Sequence, residues 1–424
     1  MFRLRYSEFQ HKKKQALKKR RNSLLSKSGQ FKKNNSISTF LFLFKTVDYN
    51  LFSIILEIGL ISQSGEKIMA MKNDLHNPIH YIIPPHIVDA IKLRGNKRQQ
   101  EMALGMEKDA EKSRETREAA GPAKAYKAAP IIGLKAKLKP KIEVYDAGNQ
   151  FILPGILVRD MEKGPLKDTA AKEAYSGAID TYNLYYKIYR RNSTDGQGKK
   201  IISTIHYGQN YNNAFWNGVQ MVFGDGDGTI FESFTNSLSI IGHELSHAIV
   251  QFSGGLSYRD QSGALNESFA DVFGCLTVQY KNNQISHEAN WLIGDGIFGT
   301  AIKGEALRSM KAPGTAYDDA LIGKDPQPFH MDGYVVTSSD RGGVHINSGI
   351  VNHAFYLLSQ YLGGFAWEKA GQIWYDAMQE INNPNATFNE WADKTVEMAR
   401  KRFGLGSKEV IFTRRAWKLV GISV

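Results

Sequence analysis

The chain has 424 residues, of which 42% are hydrophobic, and a formal net charge of +12 at pH 7. This length and apolar content support a sizeable core in two or three domains, and a single cysteine, Cys275, excludes an internal disulfide. The charge is concentrated at one end: residues 1–70 contain 14 Lys and Arg against 4 Asp and Glu, whereas the remainder contains 40 against 38. The near-neutral remainder offers no basic footprint for a nucleic acid backbone.

Residues 1–70 begin with a lysine-rich run and continue into apolar stretches at 40–44 and 51–61. Charged residues interrupt these stretches, so none approaches the roughly 20 apolar residues of a membrane span. The long basic run and the lack of a small-residue cleavage site also fit a signal peptide poorly. Two interpretations stay open: a disordered basic extension, or a segment that is not natively translated, with the true start at Met69 or Met71. We expect a cytoplasmic protein by default, with export by a non-classical route as the alternative.

Residues 71–130 have the composition of a separate segment ahead of the main domains. Residues 98–119 are charged and helix-prone, and residues 121–130 form a linker rich in helix-breaking residues. We expect no membrane span here either.

The remaining sequence divides into two subdomains. Residues 131–236 are rich in β-branched residues and glycine, which predicts a strand-rich subdomain with one helix over 167–190. Residues 237–424 predict a mainly helical subdomain, with helices over residues 238–252, 264–280, 347–362 and 388–403. The predicted fold class is therefore α+β.

The helix predicted over residues 238–252 carries a His-Glu-x-x-His motif. Residues four apart share one helix face, so His243 and His247 can direct both imidazoles at one metal ion, with Glu244 beside it. On the next predicted helix, Glu267 supplies a candidate third ligand, which leaves a fourth position for water. One turn further, Asp271 can reach the outer nitrogen of a metal-binding histidine and fix its orientation.

With Asn266-Glu267-x-x-x-Asp271 following His243-Glu244-x-x-His247, the chain resembles the thermolysin family of zinc metalloendopeptidases. Two further segments carry the resemblance, in the family's order. Residues 211–216, Tyr-Asn-Asn-Ala-Phe-Trp, are similar to the family's substrate-binding edge strand, and residues 342–349 are similar to its catalytic histidine loop. The resemblance runs from about residue 141 to the end and implies a two-subdomain fold with zinc in the cleft between the subdomains.

The resemblance also implies a role for each matching residue. Zn²⁺ would be held by His243, His247 and Glu267, and Glu244 would act as the general base. His345 and Tyr258 would donate hydrogen bonds to the oxyanion, and Asp340 would orient His345. The matching supporting and substrate-binding residues are Asp271, Asn266, Asn213, Ala214 and Trp216.

Substrate preference would follow from the pocket for the residue after the scissile bond. The matching positions are Phe231, Phe234, Ile240 and Leu307, which make an apolar pocket that favours a bulky hydrophobic side chain. Arg308, at the edge of this pocket, would hydrogen-bond the substrate backbone. The expected partners are therefore protein or peptide substrates.

The chain departs from the family at its two-calcium site. The matching positions are Ser239, Val278, Asn290 and Asp295. One carboxylate among four positions is too few for two ions that each take 6–8 oxygen ligands, so we expect this site to be absent.

Residues 84–91, Pro-Pro-His-Ile-Val-Asp-Ala-Ile, are similar to the short propeptide motif of the protealysin-like subgroup. The resemblance implies a zymogen whose own propeptide covers the cleft as an intramolecular inhibitor. Autocatalytic removal is expected between about residues 95 and 141.

Simpler interpretations stand beside these assignments. His345 can be a helix cap, Tyr258 a packed surface aromatic and Asn213 a turn residue. We interpret the remaining histidines that match no family site as structural or surface residues: His206, His287, His330 and His353. For the whole chain, the alternatives are a zinc aminopeptidase, whose spacing is one residue shorter, and a catalytically silent zinc-stabilised binding protein.

Overall fold

The computed structural model describes residues 80–120, 139–160 and 167–424. The predictions for the basic extension, for a start at Met69 or Met71 and for the linker at 121–130 lie outside the described residues. Within the described residues, no helix is long and apolar enough to cross a membrane.

The segment before the linker is a short strand followed by a helical hairpin. Strand β1 (His80–Tyr81) leads into helix α1 (Pro85–Arg94), and helix α2 (Lys97–Ala120) lies close to the range predicted from its composition. Pro84 caps α1 and Pro85 opens it, since proline lacks only an N–H that the first turn does not use. Ile87 and Ile91, one turn apart, are the buried residues of α1.

A mixed six-stranded sheet forms the centre of the strand-containing subdomain. Its strands are β1, β2 (Ile142–Asp146), β3 (Ile156–Arg159), β4 (Ile201–Ile205), β5 (Ala214–Trp216) and β6 (Met221–Phe223), in the spatial order β1-β5-β6-β4-β2-β3. Pairing is antiparallel except for β2 with β4 and β4 with β6. Helix α3 (Thr169–Lys187), capped by Asp168, packs beside this sheet. The outermost strand next to β5 is thus β1, which comes from the segment before the linker.

The second subdomain is mainly helical, and the predicted division into strand-containing and helical parts is confirmed. Its helices are α4 (Leu238–Gln251), α5 (Asp260–Asn282), α6 (Asp340–Leu362), α7 (Ala370–Glu380), α8 (Phe388–Phe403) and α9 (Lys408–Leu419). Two-stranded ribbons pair β7 (Leu292–Ile293) with β8 (Arg308–Ser309), and β9 (Asp318–Asp319) with β10 (Gly323–Lys324), and a 3₁₀ turn spans Met331–Gly333. Helices α7 and α9 were not predicted.

Helices α4 and α5 pack unusually close together because glycines face each other at their contact. A Cβ atom on Gly242 would lie 3.0 Å from the Cα of Gly274, and a Cβ on Gly274 would collide with the carbonyl oxygen of Ser239. A buried glycine inside a helix costs about 1 kcal/mol relative to alanine, so the close approach explains its presence here. This contact brings the acidic residue of α5 within reach of the histidines of α4.

Candidate active site

Three side chains from α4 and α5 converge on one buried point. Ligand atoms of His243, His247 and Glu267 all lie within 4.8 Å of one another, and all three residues are fully buried. The Nε2 atoms of the two histidines are 2.9 Å apart, and each lies 3.5 Å from a Glu267 carboxylate oxygen. Two imidazoles and a carboxylate in this arrangement are the donor set that a zinc ion prefers.

The outer nitrogen of each histidine has its own partner. His243 Nδ1 lies 2.8 Å from Asp271 Oδ1, and His247 Nδ1 lies 3.0 Å from Asn266 Oδ1. Because oxygen acceptors hold the protons on Nδ1, both Nε2 atoms are left to face the centre of the site as electron-pair donors. Burial, and to a smaller extent the neighbouring His243, also hold the pKa of His247 well below its usual range. The low pKa favours the neutral form that binds metal.

Glu244 lies fully buried on α4, one residue after His243. Neither carboxylate oxygen makes a hydrogen bond of normal geometry within the described residues, although the Trp216 backbone lies near enough to favour the charged form. Burial, and then the carboxylate of Glu267, raise the pKa of Glu244 well above its usual range. A carboxylate in such surroundings accepts a proton readily.

His345 is oriented by Asp340 through two contacts. Asp340 Oδ1 lies 2.6 Å from His345 Nδ1, and Asp340 Oδ2 accepts the backbone N–H of His345 at 2.8 Å. Burial alone would lower the pKa of His345, but the carboxylates of Glu267 and Asp340 overcome it and raise the pKa to about 9. A raised pKa favours the doubly protonated ring, in which Nε2 can donate a hydrogen bond while Nδ1 donates to Asp340.

A kink at the start of α6 sets the position of His345. The helix was predicted to begin at residue 347, whereas the helical run begins at Asp340 and opens with four residues of positive φ: Asp340, Arg341, Gly342 and Gly343. A Cβ on Gly342 would collide with the side chain of Asp260. His345 thus lies inside the first regular turn of α6, and the interpretation of it as a cap of a helix starting at 347 is wrong.

Tyr258 is buried, not a surface aromatic. Its hydroxyl donates a short hydrogen bond to Glu267 Oε1 and lies 3.2 Å from His345 Nε2. The structure therefore brings Tyr258, His345 and Glu267 together on one side of the site.

Arg308 and Asp271 form a buried ion pair behind the metal-binding residues. Arg308 donates from Nε to Asp271 Oδ2 and from Nη2 to Asp271 Oδ1, both at 2.8 Å. Burial would raise the pKa of Asp271, but Arg308 and His243 instead hold it far below the usual range. Asn352 Nδ2 donates to the same carboxylate at 2.9 Å.

Asn352 was not predicted as a site residue, although its spacing from His345 indicates that the two share a helix face. It lies seven residues after His345 on α6, and residues two turns apart share one helix face. A second missed residue is Gln251 at the end of α4: it accepts from Trp216 Nε1 at 2.9 Å and donates to the Gly218 carbonyl at 3.2 Å. Gln251 thereby ties the helix that carries the histidines to the strand β5.

The residues predicted to bind substrate instead hold residues 80–83 of the chain itself. Ile82 N–H donates to the Ala214 carbonyl at 3.0 Å, and Ile83 N–H donates to Asn213 Oδ1 at 3.1 Å. Arg308 Nη1 donates to the Ile82 carbonyl at 3.3 Å. His80 pairs with Trp216 in the antiparallel ladder of β1 with β5.

The predicted pocket residues are all buried in the main hydrophobic core. Phe231 and Phe234 have ring centroids 5.8 Å apart. Together with Ile240 and Leu307 they are buried, and the same apolar cluster contains Ile82.

Comparisons with known proteins match this geometry. The profile described as "Thermolysin metallopeptidase, catalytic domain" matches residues 132–251, and "Thermolysin metallopeptidase, alpha-helical domain" matches residues 254–422. An extracellular metalloprotease of Pectobacterium carotovorum subsp. carotovorum is 50% identical over 282 residues, which cover 66% of this chain and 81% of that protein. The chain belongs to the thermolysin family of metallopeptidases.

Other members of the thermolysin family extend the comparison. Thermolysin of Bacillus sp. (strain EA1) is 39% identical over 290 residues, covering 66% of this chain and 51% of that protein. The solved structure of the precursor of protealysin, a metalloproteinase from Serratia proteamaculans, matches with a TM-score of 0.72 and 42% identity, covering 81% of this chain and all of that one. The predicted resemblance to thermolysins and to the protealysin-like subgroup is confirmed.

Proposed function

We propose that the chain is the self-processing zymogen of a zinc endopeptidase that cleaves before a bulky hydrophobic residue. One observation carries the proposal: an extended stretch of the chain, residues 80–83, lies in the cleft and is held by the residues that would hold a substrate. Adding a strand to a sheet edge is a common way to bind extended peptides. The chain is a metalloprotease of the thermolysin family, and its match to a protease precursor is consistent with a zymogen.

The donor set fits a zinc ion. Glu267 Oε2 is buried without a hydrogen-bond partner within the described residues, as expected for an atom that a cation would satisfy. His243, His247 and Glu267 would hold the ion. When bound, zinc supplies polarisation of the scissile carbonyl and a water whose pKa falls to about 7.

Glu244 then moves the proton. Its buried carboxylate, one residue after His243 on α4, takes a proton from the attacking water and passes it to the leaving amine. General acid-base transfer of this kind contributes roughly 10²–10⁴-fold to the rate.

His345 stabilises negative charge that develops on the carbonyl oxygen. Its Nε2 lies 2.9 Å from the Tyr81 carbonyl oxygen, and we take this carbonyl of the seated strand as the counterpart of the reacting one. A preorganised donor at this position acts most strongly on the transition state. Tyr258 lies next to it and can add a second donor.

Arg308, Asn213 and Ala214 fix the substrate backbone on the far side of the scissile bond. The first residue on that side is Ile82 in the seated strand, whose side chain is fully buried in the main hydrophobic core, to which Phe234 and Leu307 also belong. This supports a preference for a bulky apolar side chain, where one methylene is worth about 1–3 kcal/mol.

The test compares wild type with Glu244→Gln, which keeps the size of the side chain and removes the base. We expect the wild type with zinc to hydrolyse internally quenched fluorescent peptides. The rate of cleavage before Leu or Phe should be at least tenfold higher than the rate before Gly or Asp. We expect Glu244→Gln to bind zinc normally and to lose roughly 10²–10⁴-fold in kcat. Equal rates in the two proteins would overturn the proposal.

We also propose that the two-calcium site of the family is absent. Asn290 Nδ2 donates to Asp295 Oδ2 at 3.0 Å, and Ser239 Oγ accepts the Gly294 N–H at 2.8 Å. The side chains of Asn290, Asp295 and Ser239 therefore already have hydrogen-bond partners within the protein. Calcium should leave the unfolding temperature unchanged in the Glu244→Gln protein. A rise of several degrees would contradict this.

For partners and location, we propose peptide substrates, no nucleic acid, and synthesis in the cytoplasm, with export by a non-classical route as the alternative. The name of the Pectobacterium relative, an extracellular metalloprotease, supports export. Immunodetection of the mature enzyme in cell and culture-medium fractions distinguishes the two locations.

A further inference from the structure

The seated strand runs antiparallel to β5, and its register sets one peptide carbonyl against the proposed oxyanion donor, His345. The Tyr81 carbonyl oxygen lies 2.9 Å from His345 Nε2, and the next residue, Ile82, donates its N–H to Ala214 and accepts from Arg308. The proposed oxyanion donor, His345, therefore contacts the residue on the amino side of the Tyr81–Ile82 bond. Ala214 and Arg308 hold the backbone of the residue on its carboxyl side. An inhibitor that merely blocked the cleft would not need this division.

We infer that the Tyr81–Ile82 peptide bond is itself a cleavage site, which the zymogen hydrolyses within its own chain. The inference rests on the proposed function. It assigns a self-cut that precedes, and is separate from, the removal of the propeptide between about residues 95 and 141.

The step is an ordinary hydrolysis and needs no co-reactant besides water. Water adds its oxygen to the Tyr81 carbonyl carbon and gives a proton to Glu244. The C–N bond between Tyr81 and Ile82 then breaks, Glu244 returns the proton to the Ile82 nitrogen, and the second proton of the water passes from the new Tyr81 carboxyl group to the amine, so that a Tyr81 carboxylate and an Ile82 ammonium group result. His345 donates to the oxygen that carries the transient negative charge.

An open space lies beside the Tyr81 end of this bond. A cavity of about 320 Å³ lies between the helical hairpin and the catalytic subdomains. Its lining includes Tyr81, Ile83, Asn213, Tyr258 and His345. Of the two residues that the bond joins, Tyr81 borders this space, which is large enough for several waters.

The cut does not by itself free the cleft. After Ile83, Pro84 and Pro85 turn the chain into α1, whose Ile87 and Ile91 are fully buried. Asn212 Nδ2 also donates to Met102 Sδ of α2 at 3.2 Å. The new amino terminus at Ile82 therefore stays held by the hairpin, and maturation has two steps: release of the fragment that ends at Tyr81, then removal of the hairpin.

The experiment uses the full chain with zinc, wild type beside Glu244→Gln, followed by intact-mass spectrometry over a dilution series. We expect a species starting at Ile82 in the wild type only, at a rate independent of protein concentration. A parallel casein digest distinguishes failure of this inference from failure of the proposed function. Active enzyme with an intact Tyr81–Ile82 bond overturns the inference and leaves the proposed function standing, whereas silence in both assays overturns the proposed function as well.

Two variants test the register. Ile82→Val keeps the branched side chain but loses one methylene, and should slow the cut by roughly 10–200-fold without abolishing it. Ile82→Pro removes the N–H that donates to Ala214 and should abolish the cut, while casein hydrolysis by the matured enzyme stays unchanged.

A measurement that does not depend on catalysis tests whether residues 80–83 are docked in the cleft. In metal-free Glu244→Gln protein, hydrogen exchange should show protected amides at Ile82, Ile83 and Ile91. In the Ile82→Pro variant the Ile91 amide should remain protected. If Ile82 and Ile83 exchange as fast as an unstructured chain in the parent protein, the seated register is wrong and the inference fails.

Discussion

Asp271 binds His243 through one carboxylate oxygen and Arg308 through both, so a single side chain supports a metal ligand and the arginine that holds the bound strand. Both contacts are buried, and Asn352 Nδ2 donates a further hydrogen bond to the same carboxylate. The position of the metal site and the position of the substrate backbone are therefore linked through one residue, and changing it should affect both.

Asp271→Asn tests this link. The amide is a poorer partner for the outer nitrogen of His243, and we expect zinc affinity to fall about 10–100-fold. Arg308 loses the buried carboxylate that neutralises it, which should lower the free energy of unfolding by about 3–5 kcal/mol. Zinc competition with a chromogenic chelator and urea unfolding measure the two effects. Asp393→Asn, on an exposed position of α8, is the control; equal behaviour of the two variants would contradict the prediction.

Gly342→Ala should separate catalysis from binding. A Cβ there would meet Asp260, and the backbone φ of 93° is one that side chains other than glycine rarely adopt. We expect the kink to shift, at a cost of about 1–3 kcal/mol in stability, and His345 to move. A displacement of about 1 Å costs roughly 10²-fold in rate, so kcat should fall with KM little changed. Gly406→Ala, where an added Cβ meets nothing within 4 Å, should keep full activity.

The hairpin should loosen in acid through His86. Its Nε2 lies 2.7 Å from the Tyr317 hydroxyl, and burial lowers its pKa to about 4. Four charged or titratable groups also act on it: Asp340 and Asp89, which raise the pKa, and His345 and Arg308, which lower it. Because the docked state favours neutral His86, docking should weaken as the pH falls below 6.5 towards about 4, by on the order of 1–3 kcal/mol.

Hydrogen exchange of α1 in the Glu244→Gln protein, measured from pH 7.5 to 4.5, follows this loosening. His86→Gln can keep a hydrogen bond to Tyr317 but does not titrate, so its acid dependence should be flatter. An identical profile in the two proteins would show that another group is responsible.

His206 should stabilise the strand-containing subdomain up to alkaline pH. Its Nδ1 lies 2.8 Å from the Asp225 carboxylate, and its Nε2 lies 3.4 Å from Asp168, the cap of α3. Asp225 raises the pKa of His206 to about 9, against the smaller effect of burial. A raised pKa means that the stabilisation is complete below the unfolded pKa of 6.5 and is lost as the pH rises through about 9.

Between pH 6 and 10 we expect the free energy of unfolding of Glu244→Gln protein to lose on the order of 1–2 kcal/mol through this group, after allowance for solvent screening. The same measurement on a His206→Gln variant of that protein gives the background to subtract. If both proteins lose the same amount, His206 does not carry the effect.

The parts of the structure that depend on local signals could be predicted from the sequence. Helix α8 spans the predicted residues, and the Thr387 and Glu390 side chains cap it reciprocally. The histidines four apart, and an acidic residue on the next helix, suffice to predict the metal site. In each case, neighbouring residues determine the geometry.

The parts that depend on distant contacts could not be predicted. The kink before His345 exists because Gly342 lies against Asp260, about eighty residues earlier in the chain. The three-way role of Asp271 needs α4, α5, α6 and β8 in place together. The pairing of Tyr81 with Phe215 joins segments more than a hundred residues apart, and no local pattern specifies its register.

The place of β1 at the outside of the sheet has a consequence beyond inhibition. Once the hairpin is removed, β5 becomes an edge strand whose outward backbone groups have lost their partners, and such an edge can pair with any extended chain, including that of a second enzyme molecule. Catalysis needs this edge open, whereas storage at high concentration needs it closed. In the zymogen the outermost strand on this side is β1, which has only two residues, and β5 has only three. Both edges are therefore short, which limits self-association.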